Sequence, residues 1–184
     1  MIRALYKFLF LRLWGWTIVG ELPKEKKYMI VVAPHTSNLD FFLGVFTRRI
    51  MEFDPKYVAK KELFVFPFGF FFKWMGGYPV DRAKNTRFVD SIVDIFNSKE
   101  EFIITMTPEG TRSYNPKWKT GFYHIAKEAN IPVIRVGFDY GTKRIVIDEA
   151  LYLEEPVDEC IKSFKKYFSQ FKGRHPEKGV IWPE

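Results

Sequence analysis

Cysteine is nearly absent. The single Cys160 in 184 residues rules out an intrachain disulfide and suits a reducing compartment. Histidine is almost as scarce. His35, His124 and His175 are scattered in the sequence and make no metal triad, so no metal site is expected. Nowhere does the chain offer the roughly 18 uncharged apolar residues of a membrane-spanning helix. No Gly-x-Ser-x-Gly elbow occurs, and Cys160 falls inside an expected helix, so neither residue type presents a ready nucleophile. Linkers, internal repeats and low-complexity tracts are missing too. Acidic residues are the minority, 22 against 29 Lys and Arg, for a formal charge of +7. That excess favours phosphate-bearing partners. The basic residues are scattered and no nucleic-acid recognition motif is present, which disfavours nucleic acid and leaves lipid headgroups.

What is abundant is hydrophobic and aromatic. Hydrophobic residues make up 47% and aromatic residues 18%, with 20 Phe. This is enough for one domain with a sizeable core. Excess Phe can fill that core, line a greasy tunnel or touch a membrane. The opening stretch MIRALYKFLFLRLWGWTIVG interleaves Arg3, Lys7 and Arg12 with Leu and Phe, then Trp14 and Trp16. A signal peptide would place its charges first and end on small residues. The pattern instead predicts a helix over 1–24 lying in the bilayer interface, its cations reaching phosphate while the aromatics sink. The alternative is a helix on the domain's own core. Residues 25–184 are expected to form a single domain.

Along that domain, strands are expected at 27–33, 56–61 and 101–107, and in the stretches 131–140 and 143–153. Helices are expected at 39–51, capped by Ser37 or Asn38, and at 85–100. Two more are expected at 121–130, with Asn130 as its C-terminal cap, and at 157–173, ended by Gly173. The Phe-rich segment 62–75 is broken by Pro67. Alternating strands and helices predict an α/β sandwich, a largely parallel central sheet flanked by helices. Its sites should gather at the carboxyl ends of the strands.

Four stretches carry chemistry. In APHTSNLDFF, His35 and Asp40 can meet as the chain folds back at the helix start. A carboxylate on one ring N–H would set the tautomer and support the imidazolium; as a lone pair this is more often a structural hydrogen bond. In TPEGTRS, Pro108 and Gly110 shape a turn, Arg112 offers a planar fork for phosphate, and Glu109 could order the loop or hold a substrate hydroxyl. In GGYPVDR, Gly76 and Gly77 let backbone come close, and Arg82 is a candidate anion partner. In YVAKKEL, Lys60 and Lys61 end a strand.

In order and spacing these stretches resemble the 1-acyl-glycerol-3-phosphate acyltransferase family, the lysophosphatidic acid acyltransferases. The family's H-x4-D motif is matched by His35 and Asp40, and a segment like AKxEL by Ala59, Lys60, Glu62 and Leu63. The glycines followed by arginine are matched by Gly76, Gly77 and Arg82, and PEGTRS by Pro108 through Ser113. The proline-bearing strand of the fourth motif is matched in part by Ile131, Pro132 and Val133; members often carry a second proline where Arg135 stands.

The resemblance implies a glycerol-3-phosphate acyltransferase-like fold and direct acyl transfer with no cofactor and no metal. His35 is the general base on the acceptor hydroxyl and Asp40 orients it. The donor is an acyl-CoA or acyl-carrier protein thioester. Arg112, Lys60 and Arg82 would grip the acceptor phosphate, while Glu109, Gly110 and Thr111 would shape the acceptor's loop. The expected acceptor is 1-acyl-glycerol-3-phosphate, the expected product phosphatidic acid. The expected location is the cytoplasmic face of the cell membrane, peripheral or monotopic. Two other readings stay open: an acyltransferase for another lyso-lipid, such as a lyso-aminolipid, and a non-catalytic peripheral membrane binder.

Overall fold

A computed structural model describes residues 2–60, 64–65, 69–70, 76–80 and 85–182. Chain entry is helical: α1 spans Ile2–Lys7 and runs into a π-helical turn, Phe8–Leu13. Strands β1 (Thr17–Val19) and β2 (Lys27–Ala33) follow, then helix α2 (Leu39–Met51) and strand β3 (Lys56–Lys60). Next come β4 (Gly77–Val80), α3 (Asn85–Ser98), β5 (Phe102–Met106) and α4 (Gly121–Glu128). The chain then forms β6 (Val133–Asp139), β7 (Arg144–Ile147) and α5 (Val157–Phe168).

The strands make one sheet in the order β1-β7-β6-β2-β5-β3-β4. Every pairing is parallel except β6 with β7. The expected α/β architecture with a largely parallel central sheet is therefore present. Strand β2 reads as an unbroken apolar run because both of its faces are covered, as parallel strands require. Met29, Val31 and Ala33 face Ile92 and Phe96 of α3, Phe122 and Ile125 of α4, and Phe164 and Phe168 of α5. Tyr28, Ile30 and Val32 face Leu43 and Ile50 of α2, together with Phe10 and Trp16.

Three expectations need correction. The helix expected over 1–24 stops at Leu13, and Thr17–Val19 joins the sheet beside β7. Three consecutive β-branched residues, Thr17, Ile18 and Val19, suit an edge strand better than a helix. Phe10 and Trp16 are fully or almost fully buried against α2 and Tyr140, so this segment anchors on the domain's own core. Its other flank, with Leu5, Phe8, Leu13 and Trp14, is exposed. Arg3 is spent on α2, paired with Glu52 at 2.7 Å and donating to the Ile50 carbonyl.

Second, α5 ends at Phe168, not at Gly173. The chain leaves the helix so that Phe171 can lie across β6, where its ring fills the space a side chain at Gly137 would need. Third, β7 covers Arg144–Ile147 only, well short of the stretch 143–153. Asn130 takes a left-handed conformation just beyond α4, as a C-terminal cap does. No helix among the described residues is long and apolar enough to cross a membrane.

Candidate active site

Strands β6, β2 and β5 are adjacent and mutually parallel, so their carboxyl ends emerge side by side. Residues just past those ends converge: His35 after β2, Glu109 after β5 and Tyr140 after β6. This is the rim where ligands bind in open parallel sheets.

Asp40 lies at the centre, 2% exposed in the first turn of α2. Its Oδ2 meets His35 Nδ1 at 3.0 Å and accepts the backbone N–H groups of Thr36 at 2.9 Å and Ser37 at 3.0 Å. Its Oδ1 accepts the Tyr140 hydroxyl at 2.7 Å. The cap expected of Ser37 or Asn38 thus works differently. The Asn38 side chain makes no cap bond, the Ser37 hydroxyl accepts from Leu39 N–H, and Asp40 satisfies the loop from inside the helix. Burial pushes the Asp40 carboxyl up, but hydrogen bonds from His35, Tyr140 and the Ser37 amide outweigh it. The carboxyl ends below its ordinary value. Burial and the adjacent Asp40 charge push the Tyr140 phenol up, so it stays a donor. A carboxylate at Nδ1 selects the Nδ1–H tautomer and leaves Nε2 as the ring nitrogen with a free lone pair. The His35 side chain is 21% exposed and reaches the groove described below.

Glu109 is 4% exposed, and its Oε2 accepts the backbone N–H of His35 at 2.8 Å. The carboxyl therefore ties the PEGTRS loop to the His35 loop. No cation stands within ion-pairing distance among the described residues, and burial pushes its pKa up to about 7. Asn115 holds the same loop by donating to the Glu109 carbonyl at 2.7 Å. Gly110 takes φ +67°, where a side chain is disfavoured, and a Cβ there would press on the Lys119 stem at 3.4 Å. Thr111 is exposed, its hydroxyl accepting from Ser113 N–H at 3.3 Å.

A groove of about 1620 Å³ joins these parts. His35 and Asp40 line it together with the cations Arg112 and Lys119 and with apolar Ile30, Val32, Val136 and Phe138. Arg112 and Lys119 are exposed. An imidazole with a free nitrogen, a cationic wall and an apolar wall in one groove can deprotonate an alcohol carried on an anionic amphiphile.

Not every expected residue can be placed. Lys60 closes β3 as a backbone, but its side chain, the Lys61–Leu63 stretch and Arg82 lie outside the described residues. So does most of segment 62–75. Gly76 does come close to a neighbour: a Cβ there would meet the Pro55 carbonyl at 3.0 Å and Arg48 Nη1 at 3.1 Å. Arg135, which departs from the fourth motif, points away from the groove. It pairs with Asp148 at 2.8 Å through Nε and lies over the Tyr167 ring at 4.0 Å. Cys160 is fully buried and its thiol is pushed up to about 12 by burial, in keeping with a packing role. His124 is exposed on α4 at the groove, and His175 sits beside Glu177.

Sequence reasoning missed Tyr140, Asn115 and Lys119. Tyr140 is 100 residues from Asp40, and only its place after a strand could have flagged it. Lys119 and Asn115 follow the PEGTRS motif within a few residues, the one available signal.

Known proteins are similar to this chain in sequence and in fold. A family model described as Acyltransferase matches residues 17–139. The 1-acyl-sn-glycerol-3-phosphate acyltransferase of Saccharomyces cerevisiae is 34% identical over 127 residues, which is 65% of this chain and 41% of the yeast protein. The Escherichia coli protein of the same name is 34% identical over 113 residues, 58% of this chain and 45% of that protein. The chain thus spans less than half the length of these two relatives. In fold it is similar to the crystal structure of the 1-acyl-sn-glycerophosphate (LPA) acyltransferase PlsC from Thermotoga maritima. The TM-score is 0.60 over 100% of this chain and 80% of that one, at 20% identity. A family match running over more than half the residues, from β1 to the last residue of β6 and through both motif loops, shows that the chain belongs to the acyltransferase family.

Proposed function

We propose that this protein moves a fatty acyl group from a thioester donor, acyl-CoA or acyl-carrier protein, to the free hydroxyl of a lysophospholipid. The acceptor is 1-acyl-glycerol-3-phosphate and the product phosphatidic acid. The observation that carries the reading is the His35–Asp40 contact at 3.0 Å inside a groove that also holds Arg112. A binder needs no buried carboxylate satisfied on both oxygens and aimed at an imidazole.

His35 Nε2 takes the proton from the acceptor hydroxyl as its oxygen attacks the thioester carbonyl. Asp40 stabilises the imidazolium that results. The tetrahedral intermediate collapses, the C–S bond breaks, and the imidazolium returns its proton to the departing thiolate. Products are the ester and the free thiol. Arg112 holds the acceptor phosphate with its planar fork, helped by Lys60 and Arg82. Glu109, Gly110 and Thr111 shape the loop that carries Arg112. The apolar wall of the groove takes acyl chain. The exposed flank of the N-terminal segment, with Lys7 and Arg12, rests on the cytoplasmic face of the membrane as a peripheral contact.

Purified protein in mixed micelles, offered labelled acyl-CoA or acyl-carrier protein with different acceptors, tests this. Transfer to 1-acyl-glycerol-3-phosphate is expected, falling about 10³-fold or more in folded His35→Ala. Transfer only to a lyso-aminolipid would replace the acceptor. No thioester consumption with any lyso-lipid would leave a membrane binder.

A further inference from the structure

We infer that Tyr140 is a positioning residue of the acyl-transfer site, the hydroxyl that sets the orientation and basicity of the His35–Asp40 pair. The inference rests on the His35–Asp40 reading above.

The two oxygens of Asp40 are held unequally. Oδ2 takes three donors, all from the loop Asp40 itself closes: His35 Nδ1 and the amides of Thr36 and Ser37. Among the described residues Oδ1 has one partner, the Tyr140 hydroxyl at 2.7 Å, short as a charged hydrogen bond is. A turn about the Cβ–Cγ bond would carry both oxygens off their donors. The Tyr140 bond at Oδ1 therefore adds to the three at Oδ2 in holding the carboxylate plane, and with it the direction of the bond to His35 Nδ1.

Tyr140 is itself held by parts of the chain beyond the family match, which stops at Asp139. The Trp16 ring meets it edge-on, centroids 4.9 Å apart at 88°. Tyr140 N–H donates to the Lys172 carbonyl at 2.8 Å, and Lys172 N–H donates back to Asp139 Oδ1 at 3.1 Å. Three residues on, His175 N–H donates to the buried Thr36 hydroxyl at 3.2 Å. The stretch after α5 therefore braces both the tyrosine and the loop whose amides bind Asp40.

The hydroxyl also moderates charge. Its hydrogen bond spreads the negative charge of Asp40, which would otherwise fall more fully on the imidazolium. Removing it makes His35 a stronger base and leaves Oδ1 buried with no donor. The ionisable groups that face the pair are Glu109 from the β5–α4 loop, Arg112 in the groove, and Arg174 from the segment after α5, whose charge Tyr140 senses. None of these is altered in the test below.

The test is Tyr140→Phe, which keeps the ring and its contact with Trp16. With only three histidines, ring-labelled protein gives a readable NMR titration, and His35→Ala assigns the His35 signal. The expected results are a kcat loss of about 10- to 100-fold with acceptor KM within twofold, and a His35 titration moved up by about half a unit. In an Asp40→Asn background the same change should cost less than twofold, since the hydroxyl acts through Asp40. If wild type transfers acyl groups and His35→Ala does not, a Tyr140→Phe variant with wild-type kcat and an unmoved titration overturns the role of Tyr140 alone. A full, multiplicative loss in the Asp40→Asn background overturns it as well. If wild type is inactive, or His35→Ala keeps wild-type rates, the acyl-transfer reading itself fails, and the positioning role fails with it.

Discussion

Glu109 and His35 stand 74 positions apart and are joined at 2.8 Å, carboxylate to backbone amide. The bond makes one rigid unit of two loops. It also sets a buried carboxyl, with no ion-pair partner among the described residues, on the backbone amide of the proposed general base itself.

That burial has a pH signature. The folded chain holds the Glu109 proton up to about pH 7, whereas the unfolded chain releases it near 4.5. Across this window the folded state binds more protons, so stability falls as pH rises through it. Asp40 is lowered and titrates below 3.8, outside the window. In urea unfolding at pH 5 and pH 8, Glu109→Gln, which keeps an acceptor for His35 N–H, should abolish this component. Relative to pH 5 it should gain at most on the order of 3 kcal/mol over wild type at pH 8. Parallel curves for the two proteins would show that Glu109 ionises normally.

Arg112 is exposed at the groove and free to meet an anion. Arg112→Ala should raise acceptor KM about 10- to 100-fold with kcat nearly unchanged, the pattern of a lost uniform binding contact. On an acceptor lacking phosphate the change should be under threefold. Equal losses on both acceptors would end the phosphate assignment.

Gly173 touches Thr36: a Cβ there would sit 2.7 Å from the Thr36 hydroxyl and 2.8 Å from its methyl. Gly173→Ala must push Thr36, whose amide binds Asp40. Melting should show a loss of about 1–3 kcal/mol, the usual cost of overpacking, and acyl transfer should fall with it. Unchanged stability and rate would mean that the segment after α5 gives way freely.

Arg135 faces α5, not the groove. Arg135→Met leaves Asp148 half-buried without its partner and should destabilise by about 1–3 kcal/mol. Preference among acyl donors of different chain length should not move. A shifted preference would place this residue in the acyl path after all.

Much of this protein was legible from its residues in order. The run from Tyr28 to Ala33 reads as a doubly covered strand because its apolar residues are consecutive, and burial on both faces is a local demand. His35 and Asp40 could be paired on paper because a strand-to-helix turn brings positions five apart together. The helix at 39–51 has the bounds expected, since its apolar spacing and flanking polar turn are both local. Expectations failed where distant chain intervened. The N-terminal helix gave way to β1 because β7 offered it an edge, and α5 stopped early because Phe171 found Gly137.

Amino-acid order alone determined the α/β class, the acyltransferase motifs and the candidate base with its carboxylate, because each depends on residues within one turn or one strand. Tertiary structure alone decided that β6, β2 and β5 lie side by side, and so that Glu109 reaches His35 and Tyr140 reaches Asp40. Strand order is a property of how the whole sheet buries its faces, and no local stretch encodes which carboxyl ends will be neighbours.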